Sequence, residues 1–157
     1  MGITSSTLSN GWRIELIPAK DAYPLRQMVL RPYLRIDQVG ADYDHAEGTF
    51  HVGVRDAGGR IVAIMSVLRD RVPESGEEAW RIRSMASHPD VRGQGFGGMV
   101  LGFGIRHALE CERLPIWCNA RRVACGFYER YGFEIRGAEF EIEGIGPHSV
   151  MVLSETE

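Results

Sequence analysis

The stretch Val91-Arg92-Gly93-Gln94-Gly95-Phe96-Gly97-Gly98 puts four glycines into six positions, between an apolar run that reads as a strand and a segment that reads as a helix. Glycine takes φ > 0 at no steric cost and leaves no Cβ above a turn, so bare backbone N–H groups become a binding surface. A helix starting at the glycines turns its unsatisfied N–H groups and positive dipole end into the same space, which makes an anion site, most naturally for phosphate. No lysine follows the glycines, so the Walker A grip on a γ-phosphate is missing. Gly93, Gly95 and Gly98 would have to serve as a dinucleotide fingerprint, but that motif follows the first strand of a domain and this loop lies past mid-chain. Two histidines, His51 and His148, have an ordinary pKa near 6.5 that suits a base. Arg81 and Arg83 point the same way along one strand; guanidinium groups are no bases at ordinary pH, but their forks hold carboxylate or phosphate.

These groups need elements to hold them. Trp12 to Ile17 alternates apolar and polar residues and predicts a half-buried strand closed by Pro18. Asp21 is placed to cap a helix in which Leu25, Met28 and Val29 share a face, which carries Arg26 and Arg31 and stops before Pro32. Tyr33 to Gly48, with Asp37, Asp42, Asp44, His45 and Glu47 among few apolar anchors, predicts a loop with at most a short helix. Thr49 to Arg55 and Ile61 to Leu68 predict a hairpin around Gly58-Gly59, and Glu78 to Ser87 predicts a fourth strand. Val100, Leu101, Gly104, Ile105, Ala108 and Leu109 fall at helical spacing; Gly102 and Gly104 each cost that helix about 1 kcal/mol relative to alanine, tolerable where backbone must approach closely. Leu114 to Asn119 predicts a fifth strand, Arg121 to Tyr131 a helix with a core face of Ala124, Phe127, Tyr128 and Tyr131, and Gly132 its C-cap. Phe133 to Glu143 and His148 to Leu153 close the chain as a hairpin whose Glu139, Glu141 and Glu143 read as a solvated edge.

A chain of 157 residues, 44% hydrophobic and 25% charged, suits a single α/β domain spanning 1–157, with a core over about 12–153 and disorder confined to the ends. A net charge of −3 argues against a general nucleic-acid binder, so anion binding must be local. Cys111, Cys118 and Cys125 recur every seven residues but fall on a helix, a strand and another helix; with no CxxC pair and an odd count, they read as buried free thiols, with no metal. Met1 to Asn10 lacks the charged and apolar regions of a leader and nowhere do 18 apolar residues run together, which predicts a cytoplasmic protein without a membrane partner.

Arg92-x-x-Gly95-x-Gly97 resembles the Arg/Gln-x-x-Gly-x-Gly/Ala signature of the GNAT superfamily of acetyl-CoA-dependent N-acyltransferases. Upstream, Arg81 to Pro89 resembles that family's fourth strand and its exit through proline. Downstream, Ala124-Cys125-Gly126-Phe127-Tyr128-Glu129-Arg130-Tyr131-Gly132-Phe133 resembles its A-x-x-x-Tyr-x-x-x-Gly-Phe segment. The likeness is strongest over 80–133. It implies a mixed sheet of about seven strands with about four helices, the fourth and fifth strands parallel and splayed. It also implies acetyl transfer from acetyl-CoA, a co-substrate needing no metal, to a primary amine of a small-molecule acceptor by direct attack in a ternary complex; the rival is a non-catalytic acyl-CoA sensor. By the same resemblance Arg92, Gly93, Gln94, Gly95, Phe96, Gly97 and Gly98 hold the pyrophosphate, and Met85, Ala86 and Ser87 hold the pantetheine arm. Ala124 and Phe127 belong to the coenzyme contacts and Tyr128 is the general acid; for the base the residues themselves leave His51, His148 or a water chain to solvent. Arg121 stands where many members carry asparagine, and Asn119 is placed to supply an amide instead. Arg81 and Arg83 suggest an acceptor bearing an anionic group, while Asp37, Asp42, Asp44 and Glu47 offer the alternative of an acidic groove for a cationic one, and a homodimer is open.

Overall fold

The computed structural model describes residues 4–8 and 10–154. Residues 1–3, 9 and 155–157, and with them part of the ends expected to be disordered, lie outside the described residues. Eight strands run β1 (Ser5–Thr7), β2 (Arg13–Ile17), β3 (Phe50–Arg55), β4 (Ile61–Arg69), β5 (Trp80–Ser87), β6 (Ile116–Arg121), β7 (Glu134–Ile142) and β8 (Gly146–Leu153), with helices α1 (Ala19–Leu25), α2 (Phe96–Cys111) and α3 (Cys125–Glu129). The strand order is β1-β2-β3-β4-β5-β6-β8-β7. The eighth strand is β1, a polar Ser-Ser-Thr segment with no apolar alternation to announce it. The short helix expected within 33–48 is a single 3-10 turn, Ile36–Gln38.

The chain divides into two compact units, one of residues up to Leu68 with Arg83–Glu112, the other of Arg69–Ile82 with Arg113 onward; β5 changes unit after Ile82. In the first, β2 pairs antiparallel with β3 and β3 with β4, as the alternation of Trp12 to Ile17 and the Gly58-Gly59 turn predict. Ile17, Ala22, Leu25, Ile64 and Ala86 form one core cluster. The helix after β2 departs from expectation. It opens at Ala19 behind Pro18 rather than on an Asp21 cap, and Asp21 accepts from Arg55 Nη2 at 2.7 Å instead. Pro24 lies inside α1, where it removes a backbone donor, and the following turn, Arg26–Leu30, widens to π form, with Arg31 N–H bonded to Arg26 O at 3.1 Å. Met28, placed on the core face by its spacing from Leu25, is 53% exposed, whereas Arg26, four and seven residues after the buried Ala22 and Ala19, is buried. In α2, Phe96, Val100, Leu101, Phe103, Gly104 and Ala108 are buried. Each large apolar side chain contributes about 1.5–3 kcal/mol by leaving water. Gly104 is a true close approach, since a Cβ there would run into Met65 Cε; Gly102 has nothing within 4 Å.

In the second unit, β5 and β6 run parallel through Trp80↔Ile116 and Arg81↔Trp117, where their register ends. β6 and β7 both pair antiparallel with β8. The predicted helix from Arg121 to Tyr131 is shorter: a 3-10 turn over Arg122–Ala124, then five residues of α3. Of its predicted core face Tyr128 is buried, Phe127 and Ala124 are half-buried, and Tyr131 is exposed. Gly132 caps the helix with φ +92°, its N–H on Glu129 O at 3.0 Å and the Phe133 N–H on Tyr128 O at 3.2 Å, a Schellman closure.

Candidate active site

The glycine loop forms as a turn that delivers backbone donors. Pro89–Val91 is a 3-10 turn capped by the His88 side chain, which accepts from the Asp90 N–H, and Val91 anchors it in the core. Gly93 (φ +81°) and Gly95 (φ +89°) are left-handed, and a Cβ on either would meet nothing within 4 Å, so the space above them is open. Gly97 and Gly98 are helical instead, in the first turn of α2, whose N-cap is Gly95. The Phe96 ring is buried and stacked on Trp12 at 5.3 Å, which leaves only its backbone at the surface of the turn. The hydrogen-bond ladder of α2 begins with Met99 N–H to Gly95 O at 3.1 Å, so the N–H groups of Phe96, Gly97 and Gly98 have no helical acceptor. Arg92 and Gln94 are exposed beside them, Arg92 Nε reaching Ser87 O at 3.4 Å. This donor set, with no Cβ over it, fits a diphosphate.

Immediately upstream, β5 carries a feature that sequence reading missed. Ser84 has φ +56°, a conformation costing a non-glycine residue about 1–3 kcal/mol. Serine gives no sequence signal for it. Its hydroxyl shares a 2.7 Å hydrogen bond with the Tyr43 hydroxyl. Beyond this kink Met85 and Ser87 are half-buried, whereas Ala86 belongs to the core cluster.

Tyr128 is 8% exposed. Its ring meets Phe127 and Phe133 edge-on at 5.1 and 5.4 Å, and its hydroxyl donates to Cys118 Sγ. Burial pushes the phenol well above its ordinary range, reinforced by the neighbouring Cys118. Burial likewise pushes the Cys118 thiol up to about 12, with the Tyr128 bond working against it. Cys118 is therefore the buried thiol expected, but Cys111 is exposed and Cys125 only half-buried, its Sγ 3.6 Å from Arg121 O. Arg121 is exposed at the end of β6. Asn119 lines a cavity of about 620 Å³ with Arg136, Glu139, Phe140 and Val150, and its buried Oδ1 has no donor. The cavity lies where β7 loses register with β8 between Arg136 and Phe140, around Gly137 at φ +81°.

The two candidate bases separate cleanly. His51 is 4% exposed with both nitrogens engaged: Nε2–H donates to Asp44 O at 3.1 Å and Nδ1 accepts from Ser66 Oγ at 2.7 Å. Burial holds it below the usual imidazole range, and both ring nitrogens are taken up by bonds within the fold. His148, also buried, donates Nδ1–H to Gly146 O at 2.8 Å, which directs its Nε2 away from that bond. The arginines separate too. Arg81 Nη1 binds Asp70 Oδ2 at 3.0 Å, and its guanidinium stacks over Trp117 at 4.6 Å, while Trp117 Nε1 donates to Asp70 O at 2.8 Å. That clamp commits Arg81 to the fold rather than to an acceptor. Arg83 lies 5.3 Å from the Tyr43 ring and lines a separate cavity with Ser84.

Nothing in the sequence marked the charged cluster beneath that cavity. Arg26, 3% exposed, donates Nη1 to Asp44 Oδ2 at 2.8 Å and Nη2 to Asp44 Oδ1 at 3.1 Å and to Ser66 Oγ at 3.3 Å. Burial alone would raise the Asp44 carboxyl, but the bonds from Arg26, the Ala41 N–H and Tyr23 bring it below the ordinary range. Asp44 is thus removed from any acidic acceptor groove. Among the described residues no group of three or more His, Cys, Asp or Glu is gathered as a metal ion requires, and no helix is long and apolar enough to cross a membrane.

Residues 46–135 match the family described as Acetyltransferase (GNAT) domain. The chain is 35% identical over 139 residues to an uncharacterized N-acetyltransferase, YitI, of Bacillus subtilis, covering 88% of this chain and 93% of that one. Its fold is similar to the crystal structure of an acyl-CoA N-acyltransferase from Pseudomonas aeruginosa, with a TM-score of 0.72 and 23% identity over 91% of this chain and 98% of that one. It is similar also to glucosamine-6-phosphate N-acetyltransferase from Arabidopsis thaliana, with a TM-score of 0.64 and 15% identity over 85% and 98% of the two chains. At these identities the two structures speak for the fold alone.

Proposed function

Because the chain belongs to the GNAT acetyltransferase family, we propose that it transfers an acetyl group from acetyl-CoA to a primary amine by direct attack in a ternary complex. The observation that carries this reading is the Gly93–Gly95 turn running into α2, a backbone cradle with open space above it. The N–H groups of Phe96, Gly97 and Gly98, with Arg92 and Gln94 beside them, hold the pyrophosphate, and the main chain of Met85, Ala86 and Ser87 holds the pantetheine arm. Ala124, Phe127, Asn119 and Arg121 complete the coenzyme contacts. Acetyl-CoA supplies a thioester whose C–S bond breaks as the amine nitrogen bonds to the acetyl carbon. Tyr128 gives the departing sulfur its proton. Burial favours the neutral phenol, so the proton is in place throughout the working pH range, and the hydroxyl already donates to a sulfur, that of Cys118. His148 Nε2 takes the proton that the amine loses.

Calorimetric titration with acetyl-CoA, followed by thiol release over an amine panel, tests the reading. Micromolar binding with turnover supports it. Binding without turnover of any amine would leave an acyl-CoA sensor, and tightening by ATP or NAD but not by coenzyme A would remove the donor assignment.

A further inference from the structure

The cavity of about 620 Å³ in the second unit is lined by the turn Pro73-Glu74-Ser75 and by residues of β6, β7 and β8. Asn119 and Arg136 are both register partners of Val150, and Phe140 is the partner of His148, so these five side chains share one face of the sheet. Phe140 also stacks on the His148 ring at 6.1 Å. Alternation along β6 turns Cys118, which accepts from the Tyr128 hydroxyl, to the opposite face. The acid and the base assigned above therefore stand on opposite faces of the sheet, and the cavity adjoins the base and the Asn119 coenzyme contact. Its charges are unevenly satisfied. Arg136 Nη1 is bonded to Glu77 Oε1 at 3.1 Å, and Glu139 takes Arg122 Nε and Nη2 at 2.8 and 2.6 Å. Glu74 pairs with no cation among the described residues. It is held at φ +69° in a turn closed by the Gly76 N–H on Val72 O at 2.9 Å, a left-handed conformation that persists in a non-glycine residue only where its surroundings fix it. The unsatisfied groups of the wall are thus an anion, Glu74, and a buried carbonyl oxygen, Asn119 Oδ1, which call for positive charge and N–H donors. Pro73, Phe140 and Val150 add apolar surface for methylenes. A carboxylate or phosphate on the occupant would find Arg136 already paired. The volume falls within the range of roughly 300–1,000 Å³ usual for small-molecule sites, so an extended chain is accommodated.

Resting on the donor assignment made above, we infer that the acceptor is a diamine or polyamine lying in this cavity, with one ammonium held at Glu74 and the reacting amine brought beside His148. The reacting nitrogen gives its proton to His148 and bonds to the acetyl carbon. The C–S bond breaks, and coenzyme A leaves as the thiol with the proton from Tyr128. The second ammonium stays charged at Glu74 throughout.

The test uses the full chain with saturating acetyl-CoA. Spermidine and cadaverine are compared with pentylamine, which is cadaverine without its second ammonium, and with glycine and phosphoethanolamine, by thiol release and mass spectrometry of the product. Cadaverine or spermidine should be turned over with kcat/KM about tenfold above pentylamine, the lower end for a hydrogen bond to a charged group. Glu74→Gln should raise the diamine KM by a similar factor, leave acetyl-CoA affinity by calorimetry unchanged, and erase most of the difference between diamine and monoamine. Raising the salt should narrow that difference in the original protein and not in the variant. Equal use of diamine and monoamine, preference for glycine or phosphoethanolamine, turnover of none of them, or a difference that survives Glu74→Gln overturns the inference while acetyl-CoA binding, and with it the donor assignment, stands. Failure to bind acetyl-CoA at all overturns both.

Discussion

Replacing Tyr128 by phenylalanine tests the chemistry at a single oxygen. The ring sits among Phe127 and Phe133 and is 8% exposed, so phenylalanine refills the same space and the packing is kept. What is lost is the hydroxyl bond to Cys118 Sγ, a net cost of about 0.5–1.5 kcal/mol, or a few degrees in Tm. The catalytic cost is larger: a positioned general acid is worth roughly 10²–10⁴ in rate, so kcat should fall by that factor while KM for acetyl-CoA stays near its original value. Thiol release followed by a chromogenic thiol reagent reads both, with enzyme kept well below substrate because the exposed Cys111 reacts as well. Alkaline stability offers an independent check. A phenol raised by burial favours its neutral form, so its contribution to folding is full below about pH 10 and is lost as pH rises past it; the variant should therefore show a flatter alkaline fall in Tm. An unchanged kcat would refute the assignment. A kcat lost together with acetyl-CoA binding and several degrees of Tm would show that the tyrosine only holds the fold.

Gly95→Ala forces a left-handed residue to carry a Cβ, which costs about 1–2 kcal/mol at φ +89°; the variant should stay folded and bind acetyl-CoA several-fold more weakly by calorimetry. His148→Gln should lower kcat/KM by about 10²–10⁴ with acetyl-CoA affinity unchanged, whereas an equal loss in His51→Gln with unaltered Tm would reverse the order given to the two histidines. Asp44→Asn leaves the buried Arg26 charge without its partner and should cost roughly 3–5 kcal/mol in denaturant unfolding. Because Asp44 titrates below the ordinary carboxylate range, its contribution is present above about pH 4 and is lost as pH falls through its folded value, so the acid limb of stability should be shallower in the variant. Gly102→Ala should stabilise the protein by close to 1 kcal/mol in urea titration, and Gly104→Ala should fall short of it by the cost of displacing Met65.

How much of this could be read from sequence depends on how local its cause is. The glycine turn, the strand and helix on either side of it, and the Gly132 cap each follow from a few adjacent residues, and all three form as their composition predicts. Gly102 and Gly104 look alike in sequence, and only Met65, on β4, separates them. The helix after β2 shows what periodicity leaves out. Arg26 lies four and seven residues after the buried Ala22 and Ala19, so its burial follows the helical period, but its charge must then be satisfied within the core, and nothing local says by what. Asp44, which by composition belonged to an acidic loop, is drawn in to pair with Arg26, and Ser66 and His51 are consumed in completing the network. With Asp44 and His51 both engaged there, the loop from 33 to 48 keeps three of its four carboxylates outside the network, and His51 has both ring nitrogens bonded. The partner found for one buried cation thus decides which charges the loop keeps, and because that pairing spans 18 residues the nature of the acceptor was out of reach of periodicity and motif while the donor was not.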